Sequence, residues 1–234
     1  MKAHLPKLAR WSNAGFSCTK PIIPLSSGTF RTTLIETMPV GPATCCVRPM
    51  KSFQGHLLVA SPKLLDPNFY HSVVLIVQHN EQGALGLIIN RPVETTIDMV
   101  WDQVSETPCL CDDPLHQGGP CEGTLMVLHG DPSLSHVEVI SGVYFSTEKD
   151  VVEQLVAGDE GDRPVRFFVG YSGWGEGQLE TELESGAWLT ISATAEQVFE
   201  KSDKLWDTLR RRITLQNTCP WIDPNLIPDD PSVN

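Results

Sequence analysis

The sequence predicts an α+β fold: a mixed β-sheet core covered by several short helices, in a single compact domain. Two β-branched-rich runs, Ser72–His79 and Ala84–Asn90, are joined by a four-residue link that ends in glycine, which is typical of a hairpin. Both runs are apolar on both faces, so helices or a second sheet should cover them. Elsewhere strands and helices are mixed without strict βαβ alternation, which favours the α+β class.

Length and composition fit one globular domain with an extension at each end. The 234 residues are 41% hydrophobic and 20% charged, as in ordinary globular domains. The longest strongly apolar run, Val73–Val77, is far shorter than the ~20 residues that a membrane span needs. We expect residues 1–49 to be a disordered or mis-annotated extension, residues 50–216 to be the folded domain, and residues 217–234 to be a disordered Pro-rich tail.

The first 49 residues allow two interpretations. They are basic, rich in Ser and Thr and almost free of acids, as targeting segments are. Alternatively, translation starts at Met50, because the first clear strand follows that residue closely. We favour the second interpretation.

Charge is distributed unevenly along the chain. Residues 1–50 carry six Lys/Arg and one Glu, a net charge of +5, so the chain total of −12 leaves −17 on residues 51–234. An acidic domain repels nucleic-acid phosphates, which are bound mainly through Lys and Arg. Direct nucleic-acid binding is therefore not expected. The odd cysteine count, without an apolar signal peptide, predicts reduced thiols and a cytoplasmic location.

Short periodic runs predict the other elements. The strands are expected at His56–Ala60, Thr124–His129, Val137–Ile140, Val143–Ser146, Val165–Val169 and Trp188–Ser192. Thr96–Val104 is predicted to be a short helix, and residues 105–117 a polar loop. Capping boxes at Thr147 and Thr194 should open two further helices. A last helix would bury Leu205, Trp206, Leu209 and Ile213.

The stretch from Gly170 to Trp188 is the first candidate for a binding site. Its glycines at positions 170, 173, 175 and 177 permit positive φ angles or close backbone approach. One interpretation is a glycine-lined pocket with Gly173 and Trp174 in its wall and Gln178 and Glu180 as polar contacts. The other is a wide turn whose aromatic side chains fill the core.

A second candidate lies at the strand and turn edges near Asn90-Arg91 and Gly118-Gly119. Arg91 is the sole basic residue between Lys63 and Lys149, so its guanidinium could clamp a carboxylate or phosphate. It could equally pair with a nearby acid. We expect a small anionic ligand or a protein partner to bind near these two candidates together.

The sequence predicts no metal, cofactor or catalytic centre. Cys109, Cys111, His116 and Cys121 are four residues that can bind zinc, but their spacing matches no standard zinc motif. No motif pairs a nucleophile with a base. The favoured interpretation is a non-catalytic regulatory or binding module. The alternative is a hydrolase or transferase acting on a small anionic substrate, with Glu180 or Glu182 as general base.

Several stretches together resemble the YqgE/AlgH family of bacterial proteins. They are GHLLVASPKLLDPNF from Gly55, SVVLIVQHNEQGALGLIINRPV from Ser72, GGP from Gly118 followed by VLH, and GYSGWGEGQLETEL from Gly170. The resemblance covers residues 53–213 and implies a compact α+β cytoplasmic domain. The family is often linked to transcriptional regulation through the genetics of alginate control, without an established biochemical activity. The loop 105–117 and the Pro-rich tail depart from the family pattern.

Overall fold

The computed structural model describes residues 52–101, 105, 108–134, 137–157 and 164–218. The predictions for residues 1–49, and for the tail beyond residue 218, lie outside these residues. The elements in chain order are β1 (His56–Ala60), β2 (Val73–Asn80), β3 (Gly83–Ile88), β4 (Pro92–Thr96), α1 (Ile97–Trp101), β5 (Pro114–Gln117), β6 (Cys121–His129), β7 (Val137–Ile140), β8 (Val143–Ser146), α2 (Lys149–Ala157), β9 (Val165–Trp174), α3 (Gln178–Glu184), β10 (Trp188–Ser192), α4 (Ala195–Phe199) and α5 (Leu205–Thr218).

The strands form one mixed sheet in the order β10-β1-β2-β3-β9-β6-β8-β7, with β4 paired to β5 and β5 paired to β9. The β5–β9 pair is parallel and the other pairs are antiparallel. The predicted α+β class and the mixed sheet are therefore confirmed. The predicted hairpin is the β2–β3 pair, with Asn80 opposite Gly83.

Strand β9 organises the sheet because it has three partners. One edge pairs with β6 from Val165 to Tyr171. The other edge pairs with β5 over Phe167–Val169 and then with β3 over Ser172–Trp174. The pairing partner of β9 along this edge therefore changes from β5 to β3.

Gly118 lies at that change of neighbour. Its N–H donates to Val169 O and its carbonyl accepts from Ile88 N, both at 2.9 Å. A Cβ on Gly118 would lie 2.2 Å from Gly170 O, and a Cβ on Gly119 would lie 2.2 Å from the carbonyl carbon of Tyr171. The two glycine motifs of the sequence thus meet, and main-chain atoms occupy the space between them.

Helices cover the apolar surfaces of the sheet. Thr194 is the N-cap of α4: its hydroxyl accepts from Gln197 N while the Gln197 side chain accepts from Thr194 N, so this predicted capping box is confirmed. α5 buries Leu205, Trp206, Leu209 and Ile213, as predicted. α1 and α2 contribute to a second apolar cluster with Leu125, Val127 and Phe167. None of the described helices has the length and apolar character needed to cross a membrane.

The structure corrects three element predictions. Strands β4 and β5 were not predicted: Pro92 opens β4 at the start of a strand, where a missing N–H is tolerated, and β5 lies in the predicted loop. β9 continues through the glycines to Trp174 instead of ending at Val169. The helix predicted from Thr96 begins at Ile97, and residues 102–104 are outside the described part.

Candidate functional site

Trp174 and Gln178 bind a buried carboxylate. Glu182 in α3 is only 4% exposed, and its Oε2 accepts from the indole Nε1 atoms of Trp174 and Trp188, each at 2.9 Å. Its Oε1 accepts from Gln178 Nε2 at 2.9 Å. Buried charges are tolerated when hydrogen bonds replace their lost hydration. This network therefore holds α3 against β9 and β10.

Glu180 and His79 form a second polar contact between α3 and the sheet. His79 Nδ1 accepts from Phe53 N at 3.0 Å, so the proton of the neutral ring lies on Nε2. Nε2 lies 2.9 Å from Glu180 Oε1, a close electrostatic contact, although Oε1 accepts no hydrogen bond from the described residues. Gly173, the neighbouring candidate, pairs with Leu85 in the β3–β9 ladder.

Asn90 and Arg91 hold the loop between β1 and β2. Asn90 Oδ1 accepts from Val73 N at 2.8 Å and its Nδ2 donates to His71 O at 2.9 Å. Arg91 donates from Nη1 to Asn68 O at 2.5 Å and from Nη2 to Tyr70 O at 2.9 Å. Partial burial lowers the pKa of Arg91. The role of Arg91 as an anion clamp stays a prediction, because these partners are neutral carbonyls.

Trp174 and Gln178 thus share the Glu182 network, whereas Asn90 and Arg91 hold a different loop. Of the predicted site residues, Asn90 alone lines the cavity described next. A cavity of about 170 Å³ opens between β5, the start of β9 and the segment joining α4 to α5. Its polar wall includes Asn90, Asp113, His116, Arg166, Glu200 and Lys201. We call it the Arg166 cleft.

Arg166 is the central charged group of the cleft. It is 4% exposed and donates from Nη1 to Ile89 O at 2.6 Å and from Nη2 to Glu200 O at 2.9 Å. Burial lowers the pKa of Arg166 to about 10, while the nearby carboxylates of Asp113 and Glu200 act in the opposite direction. The guanidinium is therefore charged at neutral pH. Within the described residues, no carboxylate makes an ion pair with it.

His116 lies beside Arg166 in the cleft and is 7% exposed. Burial lowers the pKa of His116 to about 4, and the positive charge of Arg166 acts in the same direction. The carbonyls of Pro114 and Phe167 favour the protonated ring, but neither is aligned to bond Nδ1, which has no partner among the described residues. His116 is therefore a neutral imidazole in the wall of the cleft, and its Nδ1 is enclosed by the protein.

Asp113 and Lys201 form the pair at the mouth of the cleft. Lys201 Nζ lies 3.4 Å from Asp113 Oδ1, and the lysine side chain is 81% exposed. The Cys111 thiol donates to Asp113 Oδ2 at 3.3 Å. Asp113 is therefore held by two donors.

The cysteine-bearing loop does not assemble a metal site in the part of the chain that the structure describes. No group of three or more His, Cys, Asp or Glu side chains there could hold a metal ion. Cys109 donates to Cys111 O at 3.0 Å, and burial raises the pKa of Cys111 to about 12, so this thiol stays protonated. Cys121 is disulfide-bonded, which corrects the expectation of reduced thiols at that position.

Comparison with known proteins identifies the family. The model of a family described as AlgH-like, DUF179, matches residues 57–218. The chain belongs to this AlgH-like family. A UPF0301 protein of Chlorobaculum tepidum is 43% identical over 157 residues, which are 65% of this chain and 82% of the relative. A UPF0301 protein of Xanthomonas campestris is 40% identical over 166 residues, 68% of this chain and 88% of the relative.

Solved structures agree with this assignment. The solution structure of AlgH from Pseudomonas aeruginosa is similar with a TM-score of 0.59 at 31% identity, covering 76% of this chain and 93% of that one. A crystal structure from Corynebacterium diphtheriae has a TM-score of 0.56 at 23% identity, covering 69% and 88% of the two chains. The second comparison shows the shared fold alone.

Sequence reasoning missed Arg166 in this AlgH-like chain, although a signal was present. The run Val165–Val169 is apolar except for this arginine, and charged side chains are almost never fully buried unless they have partners. A charge inside a predicted core strand therefore marks a polar site. The sequence could not show that His116 and Lys201 lie beside it.

The buried His116 predicts a loss of stability in acid. Its pKa is 6.5 when exposed and about 4 in the fold, so between these values the unfolded chain binds more protons. Unfolding is then favoured as the pH falls from 6.5 to 4, by roughly 2–3 kcal/mol. Urea unfolding at pH 7 and pH 4.5 should show that part of this loss disappears in His116→Gln. His56→Gln is the control and should keep the pH dependence of the wild type. If His116→Gln also keeps it, the prediction is wrong.

Proposed function

We propose that this protein is a non-catalytic binding module that takes a small anionic ligand in the Arg166 cleft. The observation that carries the proposal is a buried guanidinium whose hydrogen bonds within the described residues go to two neutral carbonyls. Arginine has five N–H donors, and Arg166 uses two of them in its bonds to Ile89 and Glu200. A buried charge is stabilised by an opposite charge with good hydrogen-bond geometry. A carboxylate or phosphate oxygen supplies both.

The size of the cleft limits the ligand. A cavity of about 150 Å³ is large enough for benzene, and the Arg166 cleft measures about 170 Å³. Apolar contacts are available from Ile89 and Val165 in its wall. A short carboxylate or inorganic phosphate therefore fits, whereas a nucleotide is too large.

The residues of the cleft favour binding over catalysis. Ser202 lines the cleft, but its hydroxyl accepts from Lys204 N at 3.1 Å and makes no bond to His116. The alternative, a hydrolase or transferase using Glu180 or Glu182, is less favoured because these carboxylates already bind His79 and the two indoles. A protein partner, expected near Arg91 and the glycine turns, is a further proposal. A cytoplasmic location and an indirect effect on transcription are proposals that the family resemblance implies.

The test is a titration of the full chain with sodium acetate and with inorganic phosphate, at constant ionic strength set with NaCl. We expect saturable changes in the His116 ring signals in 1H–13C NMR spectra, because the ring lines the cleft. Lys201→Ala should weaken binding by up to about fivefold, the upper range for an exposed charge pair.

Lys204→Ala is the matched control, since Lys204 is an exposed lysine of the same segment outside the cleft. It should bind as the wild type does. The proposal is wrong if neither anion produces a saturable change at His116.

A further inference from the structure

We infer that the ligand of the Arg166 cleft is a small zwitterion, an amino-carboxylate whose carboxylate meets Arg166 and whose ammonium meets Glu200 and Asp203. This inference rests on the proposed function and narrows the ligand to one chemical class. It follows from the charges of the cleft, from their depth and from the size of the cavity.

The cleft has more negative than positive charge. Arg166 and Lys201 are its cations, and Asp113, Glu200 and Asp203 are its carboxylates. Lys201 is already paired with Asp113 at 3.4 Å. The Glu200 carboxylate also acts on Arg166, and the Asp203 carboxylate lines the same cavity. A simple anion is attracted by Arg166 but repelled by these acids, whereas a ligand of both signs is attracted by each group.

The positive and negative groups of the cleft lie at different depths. Arg166 and His116 are more than nine-tenths buried, and His116 Nδ1 has no described partner. Glu200 and Asp203 are exposed. They flank the rim, and the main chain of Glu200 is fixed beside Arg166 by a 2.9 Å hydrogen bond. A bound zwitterion would therefore place its carboxylate inward and its ammonium at the rim.

The neutral imidazole makes the inner wall suitable for this orientation. At neutral pH the His116 ring adds no second positive charge, because burial lowers its pKa to about 4. The deep end thus has a single positive charge, that of Arg166, which matches the single negative charge of the ligand's carboxylate.

The experiment compares three small molecules of similar size on the full chain: β-alanine, butyrate and butylamine. β-Alanine carries both charges, butyrate only the negative charge and butylamine only the positive charge. Dissociation constants come from the His116 ring signals at neutral pH. We expect β-alanine to bind about fivefold more tightly than butyrate, since an exposed ion pair contributes up to about 1 kcal/mol. Butylamine should bind most weakly.

A double variant, Glu200→Gln with Asp203→Asn, tests the rim directly. Both side chains are exposed, so the change should leave the fold intact. The double variant should bind β-alanine and butyrate with about equal dissociation constants. The matched control removes two exposed acids outside the cleft, Glu184→Gln with Glu196→Gln, and should keep the preference. This control holds the change in net charge constant.

The outcomes separate this inference from the proposed function. Butyrate that binds as tightly as β-alanine overturns the zwitterion and leaves the anion site standing. If butylamine binds most tightly, both the zwitterion inference and the role of Arg166 as the anion-binding group are wrong. Absence of binding by all three molecules, and by acetate and phosphate, removes the proposed function itself. A preference for β-alanine that survives the double variant also overturns the inference.

Discussion

Glu182→Ala should lower the free energy of unfolding by about 4 kcal/mol, since each buried donor left without an acceptor costs about 1–3 kcal/mol. The substitution removes the acceptor of the Trp174 and Trp188 indole N–H groups and of Gln178 Nε2. Urea unfolding of the full chain measures the change. Glu182→Gln should cost less, because its amide oxygen can still accept from the two indoles.

Glu184→Ala is the control for this effect. Glu184 lies in the same helix but is exposed, so its removal should change the stability by less than about 0.5 kcal/mol. Equal stability of the Glu182→Ala and Glu184→Ala variants would show that the carboxylate network does not hold α3 to the sheet.

Gly118→Ala should destabilise the fold by about 3 kcal/mol or more, the upper range for overpacking a core. The added methyl group would lie 2.2 Å from Gly170 O and 3.0 Å from Leu87 Cδ2. The first contact is with main chain, which cannot rotate away as a side chain can. Relief requires moving the segment at Gly118 away from Gly170, at the point where β9 changes partners. Thermal and urea unfolding both measure the loss.

Gly175→Ala provides the comparison at an open position. Its nearest neighbour for an added Cβ is Gln178 Oε1 at 3.9 Å, an ordinary contact, so we expect a change within about 0.5 kcal/mol. If the Gly118→Ala and Gly175→Ala variants were equally stable, the main chain at Gly118 could not lie as close to Gly170 as the structure shows.

Local patterns in the sequence predicted many of the elements. The β2–β3 hairpin follows from two β-branched runs and a short glycine link. The start of α4 follows from Thr194 and Gln197, and the buried face of α5 from its apolar spacing. These signals work because hairpins, caps and amphipathic stripes depend on residues close together in the chain.

Elements that depend on distant partners were missed. β5 is four residues long and bonds to Phe167–Val169 in parallel, so nothing within its own segment indicates a strand. The extension of β9 through Gly170 and Gly173 depends on β3 and β6 as neighbours. Glycine alone favours a turn, and here the ladder partners outweigh that preference.

By itself, the sequence determined the family, the α+β class and the local elements, because family motifs and periodicities are contained in short segments. The tertiary structure decided the cleft. Lys201 meets Asp113 across 88 positions and Arg166 meets Ile89 across 77, and these contacts form only when β3, β5, β9 and the α4–α5 segment pack together. Gly118 and Gly119 approach the main chain of β9, and Trp174 packs against Phe69 and Trp188. A ligand site at these residues stays a prediction. Arg166 forms a candidate binding site only together with neighbours that are distant in sequence, and no local pattern could predict those neighbours.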